Sequence, residues 1–298
     1  MADLGISDIF NVNGMVFVVT GGGSGLGEWM ALALDKNGAS KVFILGRRAE
    51  SLNKVAQKAA NRTLVPITCD ISSKQSLKSA VEQIEKQTPF VNAVIANSGI
   101  AGPITSLPPR SPDATISSIQ EELWNLPFET NRQVMDINLM GSYYTFIAFM
   151  HLLEAGNTHA ESRGKKDFIQ SQFITVASMA AFSRNENVSH LYAASKAALV
   201  HLTKTLSTGF ATKGIRVNSI APGLYITEMT EASQIVSDGK DFSVPGSMPV
   251  DVHPMTRTGG AKDIAGAILF LTSQAGAYVN GNVLLTDGGM FGLQPMTY

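Results

Sequence analysis

The chain has 298 residues and a mass of 31.7 kDa, and it carries 23 basic and 24 acidic residues. Hydrophobic residues make up 44% of the chain, which excludes a disordered protein, because disorder needs low hydrophobicity and high net charge. The near-zero net charge gives no general attraction to nucleic acid or acidic membranes, and the longest apolar run, residues 264–271, is well short of the ~18 residues that a membrane span needs.

The remaining composition predicts a cytoplasmic protein without a metal site. Cys69 is the only cysteine, so no internal disulfide can form. The histidines do not have the spacing of metal ligands. The first ten residues lack the basic start and the apolar core of a signal peptide.

Short apolar runs alternate with helical patterns along the chain. Strands are predicted at residues 15–20, 41–46, 64–70, 91–99, 173–178, 215–223 and 282–288. These runs are apolar throughout, which is typical of parallel strands buried on both faces. Helices are predicted at 25–37, 49–60, 74–87, 130–153 and 190–212. The alternation predicts an α/β fold, a Rossmann-type doubly wound parallel sheet in three α/β/α layers.

One domain is predicted over residues 1–298, since no Gly/Ser-rich linker divides the chain. Additions to the core are predicted at 1–11, 103–118, 154–171 and 228–253. The polar segment 154–171 carries Arg163, Lys165 and Lys166. We expect it to be a surface insert that extends a helix end or loop, far from the chemistry.

A glycine-rich segment, residues 20–27, follows the first predicted strand and opens the first helix. Glycines allow a sharp turn and a close approach of phosphate, and the helix N-terminus offers free N–H groups. The spacing is Gly-x-x-x-Gly-x-Gly, and no Lys-Ser/Thr pair follows as in a P-loop. The segment predicts nucleotide binding by Gly21, Ser24, Gly25, Leu26 and Gly27.

The end of the second predicted strand indicates which dinucleotide is bound. An acidic residue there would hold the ribose 2′-hydroxyl of NAD, but Arg47 and Arg48 follow the strand. Arginine can bind phosphate through two parallel hydrogen bonds, which favours NADP(H). The alternative is two solvated arginines that begin a helix. Asp70, with Ile71 beside it, could bind the adenine amino group, or could cap the next helix.

Tyr192 and Lys196 are four residues apart in a predicted helix, so they lie on one face. A neighbouring ammonium lowers the pKa of a phenol, ordinarily about 10, and suits it to exchange a proton with a carbonyl or alcohol. Ser178 ends the preceding strand, where its hydroxyl could hold the substrate oxygen.

Together, these motifs resemble the short-chain dehydrogenase/reductase family in its single-domain form. The resemblance covers about residues 11–289 and also includes ANSG at 96–99, Asn138, APG at 221–223, Thr227 and LLTDGG at 284–289. One departure is Ser98, where the family usually has Ala or Asn.

The resemblance implies direct hydride transfer between NADP(H) and a carbonyl or secondary alcohol. Tyr192 would be the general acid in reduction and the base in oxidation, Lys196 would lower its pKa and bind the nicotinamide ribose, and Ser178 would orient the carbonyl. Asn138 would hold a water in a proton relay. The remaining implied contacts are Asn97 and Gly99 at the adenosine ribose, and Pro222, Gly223 and Thr227 at the nicotinamide.

Apolar side chains in 99–118 and in a lid at about 224–256 predict a pocket for a hydrophobic small molecule. Alternatively, they pack the lid against the core. The added loops favour a ketoreductase of secondary metabolism over acyl-carrier-protein chemistry. An epimerase or isomerase on the same fold stays open, whereas a non-catalytic NADP-binding scaffold would usually have lost Ser178, Tyr192 or Lys196. The resemblance also implies a homotetramer or homodimer.

Overall fold

Seven parallel strands form one sheet in a computed structural model that describes residues 4–103, 111–162, 168–185, 188–231 and 241–297. The strands are β1 (Val16–Thr20), β2 (Lys41–Gly46), β3 (Leu64–Thr68), β4 (Ala93–Ala96), β5 (Gln172–Val176), β6 (Arg216–Pro222) and β7 (Val283–Thr286). Their order across the sheet is β3-β2-β1-β4-β5-β6-β7. The predicted doubly wound parallel sheet is confirmed, with a topological switch point between β1 and β4.

Helices cover both faces of the sheet. They are α1 (Ile6–Ile9), α2 (Gly25–Lys36), α3 (Ala49–Gln57), α4 (Lys74–Glu85), α5 (Ile116–Asn125), α6 (Phe128–Met135), α7 (Ser142–Ser162), α8 (His190–Phe210), α9 (Glu228–Glu231) and α10 (Ala261–Thr272). Among the described residues, none of these helices combines the length and apolarity that crossing a bilayer requires.

The core has two layers because consecutive strand side chains point to opposite faces. In β1, Phe17 and Val19 pack with residues of α2, α3 and α10, while Val16 and Val18 pack with residues of α4, α7 and α8. All five residues of β1 are buried. Burial on both faces is the reason that the central strands β1 and β4 are almost entirely apolar. In β6, by contrast, the buried residues include three polar ones, Arg216, Asn218 and Ser219.

The two edge strands are less covered. In β3, Pro66 is exposed and pairs with Ile44 on its inner side, and an edge tolerates a proline because its missing N–H would face solvent. At the other edge, each of the four residues of β7 is only half-buried in the single chain.

The helix predicted at 130–153 is longer than expected. It runs from Phe128 through α6, a π-helical segment at Asp136–Gly141 and α7 to Ser162. Phe90 stacks on His159 with ring centroids 4.1 Å apart, and Asn157 donates a 2.9 Å hydrogen bond to the Gly214 carbonyl. These contacts lie at the amino ends of the strands. Arg163, Lys165 and Lys166, in the rest of the insert, lie outside the described residues.

The segment between β4 and α6 contains a helix that the sequence patterns did not predict. In α5, Thr115 and Ser118 form a reciprocal capping box, which starts a helix without help from the core. None of its residues is buried. Residues 104–110, including part of the predicted pocket region at Ile104, lie outside the described residues.

Candidate active site

Two adjoining cavities lie at the carboxyl ends of the strands, beside the switch point. The inner cavity, of about 200 Å³, is lined by Ser178, Tyr192 and Lys196 among others. The outer cavity, of about 420 Å³, is lined by Arg47, Arg48 and Asp70 among others. Both share a wall formed by Gly21, Ser24, Ser98 and Gly99. Ligands of doubly wound sheets bind at this edge.

The glycine-rich loop has a shape that side chains would prevent. Gly21 and Gly25 have φ angles of +66° and +55°, which L-residues rarely adopt. A Cβ at Gly27 would overlap the carbonyl oxygen of Gly21 and would lie 2.5 Å from the Asn97 amide nitrogen. Gly21, Gly25 and Leu26 line the inner cavity, whereas Gly27 is buried beneath the loop.

Hydrogen bonds to Asn97 and Ser98, the two residues after β4, hold this loop in place, and we call this set of bonds the brace. The Thr20 hydroxyl accepts the backbone N–H groups of Asn97 and Ser98 at 3.0 and 3.1 Å. The Asn97 side chain donates in return to the carbonyls of Thr20 and Gly21 at 3.0 and 3.3 Å. Asn97 lines the inner cavity. Both hydrogens of its side-chain amide are bound to the loop.

The start of α2 lies against the inner cavity. Ser24 is the N-cap residue, and its side chain does not cap the helix. The first-turn N–H groups therefore receive no cap from Ser24, an arrangement that suits anion binding. The Ser24 hydroxyl instead accepts a 3.4 Å hydrogen bond from Arg48.

Arg48 has a partner that the sequence did not indicate. Its guanidinium donates a 2.7 Å hydrogen bond to the carboxylate of Glu228 at the start of α9, and the two side chains are 63% and 59% exposed. This bond lowers the pKa of the Glu228 carboxyl. The two residues are 180 positions apart, so no local pattern links them.

Asp70 and Ile71 form the far wall of the outer cavity. One Asp70 carboxylate oxygen accepts the hydroxyl and the N–H of Ser72 at 2.6 and 2.9 Å, and these bonds lower the pKa of Asp70. Ser73, not Asp70, caps α4, so the capping alternative for Asp70 is wrong. Ile71 is buried against Gly141 of the π-helical segment.

Ser178, Tyr192 and Lys196 meet in the inner cavity. Ser178 lies two residues beyond β5, and its hydroxyl is a hydrogen-bond partner of the Tyr192 phenol. Lys196, one turn along α8, is buried, donates to the Val176 carbonyl at 2.8 Å and lies 5.8 Å from the centroid of the tyrosine ring.

Burial changes the pKa values of both groups. It raises the pKa of the Tyr192 phenol, and the Ser178 hydrogen bond opposes that rise. It lowers the pKa of Lys196 to about 8. The expected lowering of the Tyr192 pKa by the ammonium is therefore not found in the chain alone, because the penalty of burying a phenolate is the larger effect.

Asn138 acts as a clamp within the π-helical segment. Its amide donates to the Ile100 carbonyl and to the Ser195 hydroxyl, each at 3.0 Å, and its oxygen accepts the Ile100 N–H at 2.9 Å. The Ser142 hydroxyl donates to the Asn138 main-chain carbonyl at 3.0 Å. The Asn138 amide oxygen keeps a second lone pair, so the implied water stays a prediction. The clamp holds the turn at Gly99 and Ile100 against α8, and π-helical bulges often occur at functional sites.

Gly99 allows these groups to converge. A Cβ there would lie 3.2 Å from the Asn138 amide oxygen and 3.4 Å from the Lys196 ammonium. The opposite wall of the inner cavity is formed by Pro222, Gly223 and Thr227. Thr227 packs against Gly25, where a Cβ would approach it to 3.2 Å.

The described parts of the predicted lid are residues 224–231 and 241–256. Tyr225 is 3% exposed and belongs to the core, so it packs the lid against the sheet. Met229 lines the inner cavity. Met255 and Val244 are 56% and 51% exposed. Residues 232–240 lie outside the described residues.

Two contributors were missed by sequence reasoning. Ser195 lies inside the Tyr-x-x-x-Lys motif and holds Asn138, a role that the motif itself does not reveal. Glu228 follows Thr227 and reaches Arg48 across the cleft. Within the described part of the chain, no group of three or more His, Cys, Asp or Glu residues could hold a metal ion.

Known proteins resemble the chain over nearly its full length. A family model described as enoyl-(acyl carrier protein) reductase matches residues 21–291. The short-chain dehydrogenase/reductase PhomF of Diaporthe leptostromiformis is 41% identical over 98% of this chain and 96% of its own length.

Solved structures that share the fold include two complexes with a nicotinamide cofactor. The active-site complex of Pseudomonas aeruginosa RhlG with NADP is 25% identical, has a TM-score of 0.77 and covers 95% of this chain and 98% of its own. A 7α-hydroxysteroid dehydrogenase complexed with NADH and 7-oxo glycochenodeoxycholic acid is also 25% identical, with a TM-score of 0.76, and covers 97% of this chain and 98% of its own.

Proposed function

Because the chain belongs to the short-chain dehydrogenase/reductase family, we propose that it is an NADP(H)-dependent ketoreductase that transfers hydride between the nicotinamide and a carbonyl or secondary alcohol of a hydrophobic small molecule. The observation that carries the proposal is the convergence of Ser178, Tyr192 and Lys196 in one cavity with the glycine-rich loop. A hydroxyl, a phenol and an ammonium in one cavity suit proton transfer to a carbonyl. The N-terminus of α2 beside them, which has no side-chain cap, suits a dinucleotide.

The residues present fit a dinucleotide. The glycine-rich loop leaves no room for side chains at Gly21 and Gly27, and the adjacent N-terminus of α2 has no side-chain cap. The pyrophosphate of the dinucleotide would lie on this helix end. Its adenosine would lie in the outer cavity, and its nicotinamide in the inner cavity near Pro222, Gly223 and Thr227. When bound, the cofactor supplies or accepts the hydride at its nicotinamide ring.

The chain itself handles the proton. The Tyr192 hydroxyl donates its proton to the substrate oxygen in reduction, while the Ser178 hydroxyl donates a hydrogen bond to the same oxygen. Burial raises the pKa of the phenol and so keeps it protonated at neutral pH. Burial also lowers the pKa of Lys196 to about 8, so its ammonium can still bind ribose hydroxyls at neutral pH. Asn138 keeps the turn at Gly99 in place.

The choice of NADP(H) over NAD(H) is supported by Arg47 and Arg48, which border the outer cavity. No acidic side chain stands at the end of β2, where one would hold the 2′-hydroxyl of NAD. The RhlG structure contains NADP, although the 7α-hydroxysteroid dehydrogenase structure contains NADH.

The substrate class is supported by the apolar side chains around the inner cavity, among them Leu26, Val176 and Met229. The 7-oxo bile acid in the related complex is a polycyclic ketone of this kind. We further propose one catalytic domain with a lid at about 224–256, a cytoplasmic location, a role in secondary metabolism, and assembly as a homodimer or homotetramer.

The test is a screen for NADPH oxidation with aliphatic, aromatic and polycyclic ketones, with a 2-enoyl thioester included because of the family model's description. The proposal expects one NADPH oxidised per secondary alcohol formed, and little turnover with NADH. Conversion of a substrate without net NADPH consumption would indicate an epimerase. Reduction of the enoyl thioester alone would contradict the ketoreductase assignment.

A further inference from the structure

The Arg48–Glu228 ion pair lies where the two cavities meet. Arg48 borders the outer cavity, Glu228 borders the inner cavity, and Ser24 borders both. Arg48 donates to the Glu228 carboxylate at 2.7 Å and to the Ser24 hydroxyl at 3.4 Å. The Ser24 hydroxyl is also a hydrogen-bond partner of the Glu228 carboxylate. An arginine and a serine that share an anionic group beside a helix N-terminus form the kind of site that binds a phosphate.

Glu228 is held at this position by the turn that carries it. The Thr227 N–H donates to the Thr230 hydroxyl at 2.8 Å, and this hydroxyl donates to the Tyr225 carbonyl at 2.9 Å. Tyr225 is buried in the core, and Thr227 packs against Gly25. The turn therefore directs the carboxylate toward Arg48 from an anchored base.

We propose that Glu228 is a built-in competitor for the cofactor's 2′-phosphate and thereby determines cofactor selectivity. Its carboxylate occupies the anion site of Ser24 and Arg48, and a 2′-phosphate that binds there displaces it. The inference rests on the proposed NADP(H) preference. A dinucleotide without the 2′-phosphate does not compete for Arg48 and leaves the ion pair intact.

We expect a 2′-phosphate to bind Arg48 more strongly than the Glu228 carboxylate does, while the carboxylate still weakens phosphate binding. A phosphate monoester carries more negative charge than a carboxylate and accepts two hydrogen bonds from one guanidinium. Both partners in the ion pair are more than half exposed, and exposed pairs are worth little. Removing the carboxylate should therefore strengthen binding of a 2′-phosphate by about two- to fivefold.

The experiment measures binding rather than turnover, by calorimetric titration with 2′,5′-ADP and with 5′-AMP, which differ only in the 2′-phosphate. Glu228→Gln should raise the ratio of the 2′,5′-ADP affinity to the 5′-AMP affinity two- to fivefold, because any effect of the lost charge on the shared 5′-phosphate cancels in this ratio. The matched control is Glu50→Gln, which removes the same charge from an exposed pair with Lys54 on α3 and should leave both affinities unchanged. In an Arg48→Ala background, Glu228→Gln should no longer change the ratio of the two affinities.

The results separate this inference from the proposed function. If wild-type protein prefers 2′,5′-ADP but Glu228→Gln leaves the ratio unchanged or lowers it, the competitor role is wrong while the NADP(H) preference stands. If wild-type protein binds both ligands equally, the NADP(H) preference is wrong. A rise in the ratio with Glu228→Gln would even then support the competition for Arg48. Thermal unfolding of each variant verifies that it is folded.

Discussion

At the scale of single residues, Tyr192 lies in a wall of the inner cavity where burial favours its protonated form. We expect Tyr192→Phe to lower kcat by about 10²- to 10⁴-fold, the usual contribution of a general acid. Ring packing is preserved, so the dissociation constant of NADPH should change little. Steady-state rates and a fluorescence titration would measure both quantities. A variant that keeps a tenth of the wild-type rate would contradict the role.

The buried ammonium of Lys196 should lower the free energy of unfolding. It is 4% exposed, and burial lowers its pKa from 10.5 to about 8. Between these two pH values the unfolded chain binds more protons than the folded chain, so stability from this residue rises with pH there. Below pH 8 the full penalty of the buried ammonium applies, and it shrinks as pH rises toward 10.5.

Lys196→Met should therefore be more stable than wild-type protein at pH 7, by about 1–3 kcal/mol, since 1 pKa unit corresponds to about 1.4 kcal/mol and one hydrogen bond is lost. The advantage should narrow between pH 8 and pH 10. Chemical denaturation at several pH values measures it, and activity should be lost throughout. Equal stability at all pH values would show that the ammonium is not penalised.

Sequence reasoning at this scale succeeded where contacts are local or carried by a motif. Tyr192 and Lys196 are one helical turn apart, and their approach follows from geometry alone. Glu228 and Arg48 are 180 residues apart, so their pairing depends on how the segment after β6 crosses the sheet edge. Likewise, the bonding of Asn138 depends on a π-helical segment that no periodicity predicts.

At the scale of elements, two helical glycines offer a matched comparison. A Cβ at Gly27 in α2 would overlap the Gly21 carbonyl, whereas a Cβ at Gly266 in α10 meets nothing within 4 Å. We expect Gly27→Ala to destabilise the protein by about 1–3 kcal/mol and to abolish NADPH binding.

The same substitution at Gly266 should stabilise the protein by about 0.5–1 kcal/mol, because alanine is the better helix former. Its NADPH affinity should equal that of wild-type protein. Thermal unfolding and cofactor titration of the two variants test both statements. Retained NADPH binding in Gly27→Ala would disprove the tight packing of the loop.

Element boundaries were predictable to the extent that burial determines them. The strand predicted at 91–99 ends at Ala96, because the backbone turns there and Asn97 and Gly99 line the inner cavity. The helix predicted to end at 153 continues to Ser162, because its last turns pack at the amino ends of the strands. Helix α5 was missed because burial does not determine it: none of its residues is buried, and a capping box starts it.

At the scale of the whole molecule, an apolar stripe on the long helix predicts association. Met140, Tyr143 and Ile147 share one face and are 42%, 37% and 41% exposed. We expect Ile147→Asp to shift the protein toward monomers, because a charge in such an interface would be buried without a partner. Light scattering after size-exclusion chromatography measures the mass.

The control is Ile116→Asp on α5, which is 81% exposed and should leave the mass unchanged. A monomeric wild-type protein would contradict the proposed assembly. An effect of Ile116→Asp with none from Ile147→Asp would locate the interface on α5 instead.

The brace between Thr20 and Asn97 has a consequence for the order in which the protein folds. It joins residues 77 positions apart, and contacts distant in sequence form late because the intervening chain must first be ordered. The glycine-rich loop therefore cannot take its final shape from β1 and α2 alone. A nascent chain that has completed β1 to β3 still lacks these hydrogen bonds, so we expect dinucleotide binding only once β4 has docked beside β1.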